Sequence, residues 1–138
     1  MDIQVDDHCM ILGGHSLSYS AYYFDVDKYA ALPSGEILKE IFVQWANALT
    51  NIGNGQSIFL PFSLDDEWVE CLQVTQHGEK LTYQYVRVSE NGWALDVTDL
   101  SEFMASAHHV RKVMPEIAGE CEKSEFISAL LNAKVSAA

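Results

Sequence analysis

Residues 67–89 read EWVECLQVTQHGEKLTYQYVRVS, with apolar and polar residues alternating on either side of a His-Gly dipeptide. Period-two alternation marks a half-buried β-strand, and a glycine between two such runs marks a hairpin turn. With His77-Gly78 as a two-residue loop, Val74 lies opposite Leu81, Leu72 opposite Tyr83 and Glu70 opposite Tyr85. Trp68, Leu72, Val74, Leu81, Tyr83 and Tyr85 then share one face, while Gln73, Thr75, Lys80, Thr82 and Gln84 share the other. An antiparallel hairpin with one apolar side needs a cover, and the rest of the chain supplies helices to provide it.

Downstream, Asn91-Gly92 turns the chain into Trp93–Val97, read as a third strand of the meander. Upstream, Asn54-Gly55 leads into a strand over Ser57–Phe62, which Pro61 weakens or confines to a sheet edge. The clearest helix runs from Ser34 to about Ile52. Ser34 is placed to cap it, Glu36 and Glu40 sit near its positive end, and Gly53 stands where it should stop. Ile37, Leu38, Ile41, Phe42, Trp45, Ala46 and Leu49 follow helical 3/4 spacing and form the stripe that packs on the sheet.

At the N-terminus, residues 3–12 and 16–26 read as two strands joined by Gly13-Gly14, with His8 opposite Tyr19 and Val5 opposite Tyr22, a pairing that gives an aromatic-lined sheet face. Asp27–Leu32 is a helical turn ending at Pro33. Asp99-Leu100-Ser101-Glu102 has capping-box spacing for a short helix to about Ser106. Residues 107–123 follow neither period. Ser124 is placed to cap a terminal helix over about 124–135 that carries Phe126, Ile127, Leu130 and Leu131 and frays at residues 136–138. The expected fold is therefore α+β: an antiparallel sheet built from hairpins, covered by one long helix (about 34–52) and a C-terminal helix (about 124–135).

No repeat, linker or low-complexity tract divides the 138 residues, and a chain of this length suits one domain spanning 1–138. The acidic start and the lack of a long apolar run predict a cytoplasmic protein without a signal peptide or membrane span. The three cysteines, Cys9, Cys71 and Cys121, are odd in number and far apart, which suits reduced thiols better than a disulfide framework. A formal net charge of −12 argues against direct contact with nucleic acid or anionic lipid and in favour of a basic partner. Residues 1–70 carry 11 acidic against two basic side chains, and residues 71–138 carry nine against six.

Asp65-Asp66-Glu67 with Glu70 is the most suggestive local group. It reads either as a row of acceptors for Lys and Arg of a partner or as a solvated loop entering a strand. Glu70 falls on the apolar face between Trp68 and Leu72, diagonal to Arg87, where an ion pair at the sheet margin is expected. No second positioned carboxylate supports a general-acid role.

His8-Cys9 with His15 lacks the paired ligand spacing of zinc sites. Adjacent His108-His109 point in different directions and read as a surface pair near Arg111 and Lys112. Cys71 and His77 fall too far apart along the hairpin to act as nucleophile and base. Gly13-Gly14-His15-Ser16 reads as a hairpin tip. Among Tyr19, Tyr22, Tyr23, Trp68, Tyr83, Tyr85 and Trp93, most fill a core and some remain for a surface. No catalytic residue, metal site or cofactor is expected.

The stretch from Ile58 to Val74 (IFLPFSLDDEWVECLQV), followed by the hairpin and then Gly92–Val97 (GWALDV), resembles small bacterial immunity proteins of contact-dependent growth inhibition and related polymorphic-toxin systems. The resemblance covers about residues 57–104. It implies a cytosolic, non-enzymatic protein that binds the C-terminal domain of a cognate toxin, often a nuclease, and blocks its active site or substrate surface. Asp65, Asp66, Glu67, Glu70 and Trp68 are the expected partner-binding residues. The alternative expectation is a small-ligand-binding or regulatory module without catalytic activity, with the aromatic sheet face lining its pocket.

Overall fold

Two four-stranded sheets and three α-helices make up the computed structural model, which describes residues 1–136. In chain order the elements are β1 (Ile3–Val5), β2 (Cys9–Leu12), β3 (His15–Ser18), α1 (Ser34–Thr50), β4 (Ser57–Leu64), β5 (Val69–His77), β6 (Lys80–Val88), α2 (Ser101–Ala105), β7 (Val110–Glu122), α3 (Lys123–Leu131) and β8 (Lys134–Val135). The larger sheet runs β4-β5-β6-β7, antiparallel throughout. The smaller runs β3-β2-β1-β8 and is mixed, because β8 lies parallel to β1. The chain is α+β with a long helix and a C-terminal helix, as expected, but it is built on two sheets.

The β5–β6 hairpin forms with a register two residues away from the expected one. His77 pairs with Lys80, so the loop is Gly78-Glu79, and Val74 faces Tyr83, Leu72 faces Tyr85 and Glu70 faces Arg87. The reason is conformational. A loop of His77-Gly78 needs a positive φ outside glycine or places the glycine second, whereas the observed loop puts Gly78 first, at φ 65°, as a type II′ turn requires. A slip of two residues leaves every side chain on its expected face. Gly13 and Gly14, at φ 57° and 83°, close the β2–β3 turn in the manner of type I′, and that register is the expected one.

The first strand breaks at Asp6, which the sequence reading did not anticipate. The Asp6 carboxylate accepts hydrogen bonds from the backbone N–H of His8 (2.8 Å) and Cys9 (2.7 Å), turning the chain so that Val5 pairs with Met10 and not with Tyr22. The pairing of β2 and β3 extends to Tyr19, whose N–H donates to His8 O, and the aromatic run then leaves the sheet in 3₁₀ turns at Tyr22–Phe24 and Asp27–Tyr29.

The α1 stripe is buried as its spacing predicts, with Leu38, Ile41, Phe42, Trp45 and Leu49 fully enclosed. Its N-terminus is capped from a distance. Ser34 makes no cap bond; Asp7 accepts the Gly35 N–H at 2.9 Å. The helix stops at Thr50, with Asn51 and not Gly53 at its C-cap. Trp45 Nε1 donates to Pro61 O at 3.0 Å, tying α1 to this edge strand just before the bulge at Phe62. All of Ile58–Leu64 is buried, with α1, α2 and the Gly92–Ala94 segment packed against β4.

Three further expectations are corrected. Trp93–Val97 is not a strand: Gly92–Ala94 forms a 3₁₀ turn, and the fourth strand of the sheet is β7, in the unassigned 107–123 region. No residue of β7 is fully buried, and register shifts interrupt its pairing with β6, so neither face carries the alternation that would reveal a strand. The terminal helix ends at Leu131 without a Ser124 cap, and Lys134–Val135 joins the smaller sheet, where the Ser136 N–H donates to Val5 O. For Ala137 and Ala138, the expected fraying lies outside the described residues.

Candidate functional site

The β4–β5 connection, Asp65–Trp68, is a tight turn in which the Asp65 N–H donates to Trp68 O at 3.0 Å. A turn this short cannot bury its side chains, so Asp66 and Glu67 are exposed and Asp65 is half-buried. None of the three forms a salt bridge among the described residues.

Two distant segments frame this turn. The Tyr23 hydroxyl donates to Asp66 Oδ1, and that bond to a carboxylate pushes the phenol up to about 12. The Tyr22 ring meets Tyr23 edge-on at 4.9 Å between centroids. On the other side the Gly92 N–H donates to Asp65 O at 2.9 Å. A Cβ on Gly92 would fall 2.3 Å from that oxygen, so only glycine fits where the 3₁₀ turn leans on the connection. Tyr22 and Trp93 stand 79% and 61% exposed, the two most exposed large hydrophobic residues in the described chain.

Trp68 and Glu70 sit deeper. The Arg87 guanidinium lies over the Trp68 ring at 4.5 Å and that of Arg111 at 5.7 Å, while Arg111 Nη1 donates to Glu67 O at 3.4 Å. Glu70, directly opposite Arg87, accepts from its Nη2 at 2.9 Å. Burial, with Glu70 adding to it, raises the Tyr85 phenol far above its ordinary value. The ion pair expected for Glu70 is thus present, across the strands and not diagonally. It engages Glu70 inside the molecule, with only 12% of its side chain exposed.

The structure therefore brings Asp65, Asp66, Glu67 and Trp68 into one corner and turns Glu70 inward to its floor. Sequence reasoning missed Tyr22, Tyr23 and Trp93 as companions of the acids. The available signal was the Tyr22-Tyr23 pair: neighbours in an extended chain point opposite ways, so one of them had to leave the core.

The other candidates do not assemble. No group of three or more His, Cys, Asp or Glu among the described residues is arranged to hold a metal ion. Cys71 is fully buried in mid-strand, which raises its thiol well above the ordinary range, and His77 is exposed at the far end of β5. The expected surface pair at 108–109 is corrected: His109 is exposed, but the His108 side chain is only 6% exposed. Its ring stacks on Phe103 and meets Phe59 edge-on, and Nε2 donates to Phe103 O at 2.6 Å. A carbonyl can only accept, so this contact places the proton on Nε2.

No protein-family model, curated protein or solved structure matches this chain.

Proposed function

We propose that this protein is a non-catalytic inhibitor of the immunity type, which captures a basic protein, a cognate toxin domain, on its acidic corner and covers that partner's working surface. The observation that carries the reading is the corner itself: three carboxylates without a cationic partner among the described residues, on a turn held by two segments that carry the exposed rings of Tyr22 and Trp93. Aromatic anchors beside acids suit a cationic interface, because the rings bury area while the acids pair with Lys and Arg. The net charge of −12 supports the same reading by repelling nucleic acid and speeding encounter with a basic domain. Asp65, Asp66 and Glu67 make the ionic contacts, Tyr22 and Trp93 the apolar ones, and Trp68 and Glu70 hold the corner's shape.

Affinity capture from the native cells at low salt, followed by elution with rising salt, tests this. One basic protein retained near stoichiometrically, with its activity silenced in the complex, is the expected result. Recovery of no specific partner contradicts the proposal.

A second reading, a small-ligand-binding or regulatory module without catalytic activity, is favoured by a cleft at the C-terminal end of α1. It gains nothing from the aromatic face expected on the N-terminal hairpin, because Tyr19 is buried and Tyr22 leaves the sheet in a 3₁₀ turn.

A further inference from the structure

A cleft of about 380 Å³ opens where the last turns of α1 meet the start of β4 and the segment leading into α2. That volume falls in the lower part of the roughly 300–1,000 Å³ range of small-molecule sites. Its spacing is fixed by Gln44, whose Nε2 donates to Val97 O at 2.8 Å and whose Oε1 accepts the Leu100 N–H at 2.7 Å. Both ends of one amide thus hold α1 and the 97–100 segment at a set distance. Ala48, Ile52, Ile58 and Met104 give the cleft an apolar lining.

The electrostatics have one sign. The cleft lies at the negative end of a 17-residue helix whose last turn carries no basic residue. No Lys, Arg or His lines it among the described residues, and its one charged group is Asp99. The Ser101 N–H (3.2 Å) and hydroxyl (2.6 Å) both donate to Asp99 Oδ1, and these bonds hold the carboxyl below its ordinary value. Oδ2 has no protein donor among the described residues and remains available to a cation.

We infer that this cleft binds a small aliphatic primary ammonium, its charge on Asp99 and its methylenes along Ile52, Ile58 and Met104. An anion of the same shape meets the carboxylate and the helix end and is rejected. A neutral alcohol keeps the apolar contact and loses the charge-assisted bond. This inference does not depend on the acidic corner.

Three probes of equal length, n-hexylamine, hexan-1-ol and hexanoate, distinguish these cases in calorimetric titrations at fixed ionic strength, with the Ala48, Ile58 and Met104 methyl signals followed by NMR. The amine is expected to bind about ten-fold more tightly than the alcohol, and hexanoate not at all. Asp99→Asn retains an acceptor for Ser101 and should bring the amine down to the level of the alcohol. Ala105→Trp, at an exposed position, should narrow the cleft and remove binding of both. Amine binding that survives in both variants would place it elsewhere on the acidic surface and overturn the assignment, as would equal affinity for the three probes or no amine binding at all.

Discussion

Asp7 stabilises α1 from 28 residues away, which makes it the clearest test of the N-terminal packing. Asp7→Ala should cost about 1 kcal/mol in a urea unfolding series, the usual worth of a lost N-cap, whereas Ser34→Ala should change stability by only a few tenths of a kcal/mol. Local sequence pointed to Ser34, because the donor and acceptor actually used come from segments that meet only after folding. The same limit applies to the candidate site. The acids were legible as a run in the sequence, but the contact of Tyr23 with Asp66 spans 43 residues and leaves no local trace.

The carboxyl of Asp6 is held below the ordinary aspartate value of 3.8, chiefly by the backbone N–H bonds from His8 and Cys9. A depressed folded value means that the stabilisation is complete above the unfolded value and disappears as pH falls through the lower, folded one. Urea midpoints should therefore drop as pH goes below about 4, and Asp6→Asn, which keeps the acceptor but does not titrate, should flatten that drop.

Among the elements, the hairpin and the long helix were readable because their patterns are local and strong: period two over 67–89 and 3/4 spacing over 34–52. The register error in β5–β6 was small for a physical reason, since a slip of two preserves faces. β7 was unreadable because an edge strand exposed on both sides carries no alternation, and the two-residue β8 is defined only by its partner β1. Gly92 belongs to this scale as well. Gly92→Ala must push its turn off the β4–β5 connection, and a loss of roughly 1–3 kcal/mol is expected, as for other overpacked sites. Thermal unfolding checks the magnitude, and a shifted Trp93 fluorescence spectrum checks the cause.

At the scale of the whole molecule, the proposed capture combines two features, the net charge of −12 and the exposed rings of Tyr22 and Trp93. Electrostatics of this kind sets the rate and specificity of capture, while buried aromatic area slows release. Tyr22→Ser with Trp93→Ser should therefore raise the dissociation rate of a captured partner with little effect on the association rate, as read by surface plasmon resonance. The acids should behave in the opposite way, with association slowed by salt or by charge reversal.

The most direct measurement is a parallel capture from the native cells with the wild-type protein and with the Asp65→Lys, Asp66→Lys variant, after circular dichroism has shown both to be folded. A basic protein retained by the wild type and weakened at least ~100-fold by the variant, on the order of 3 kcal/mol, is the predicted result. Equal retention of that protein by both would contradict the acidic corner as the docking surface.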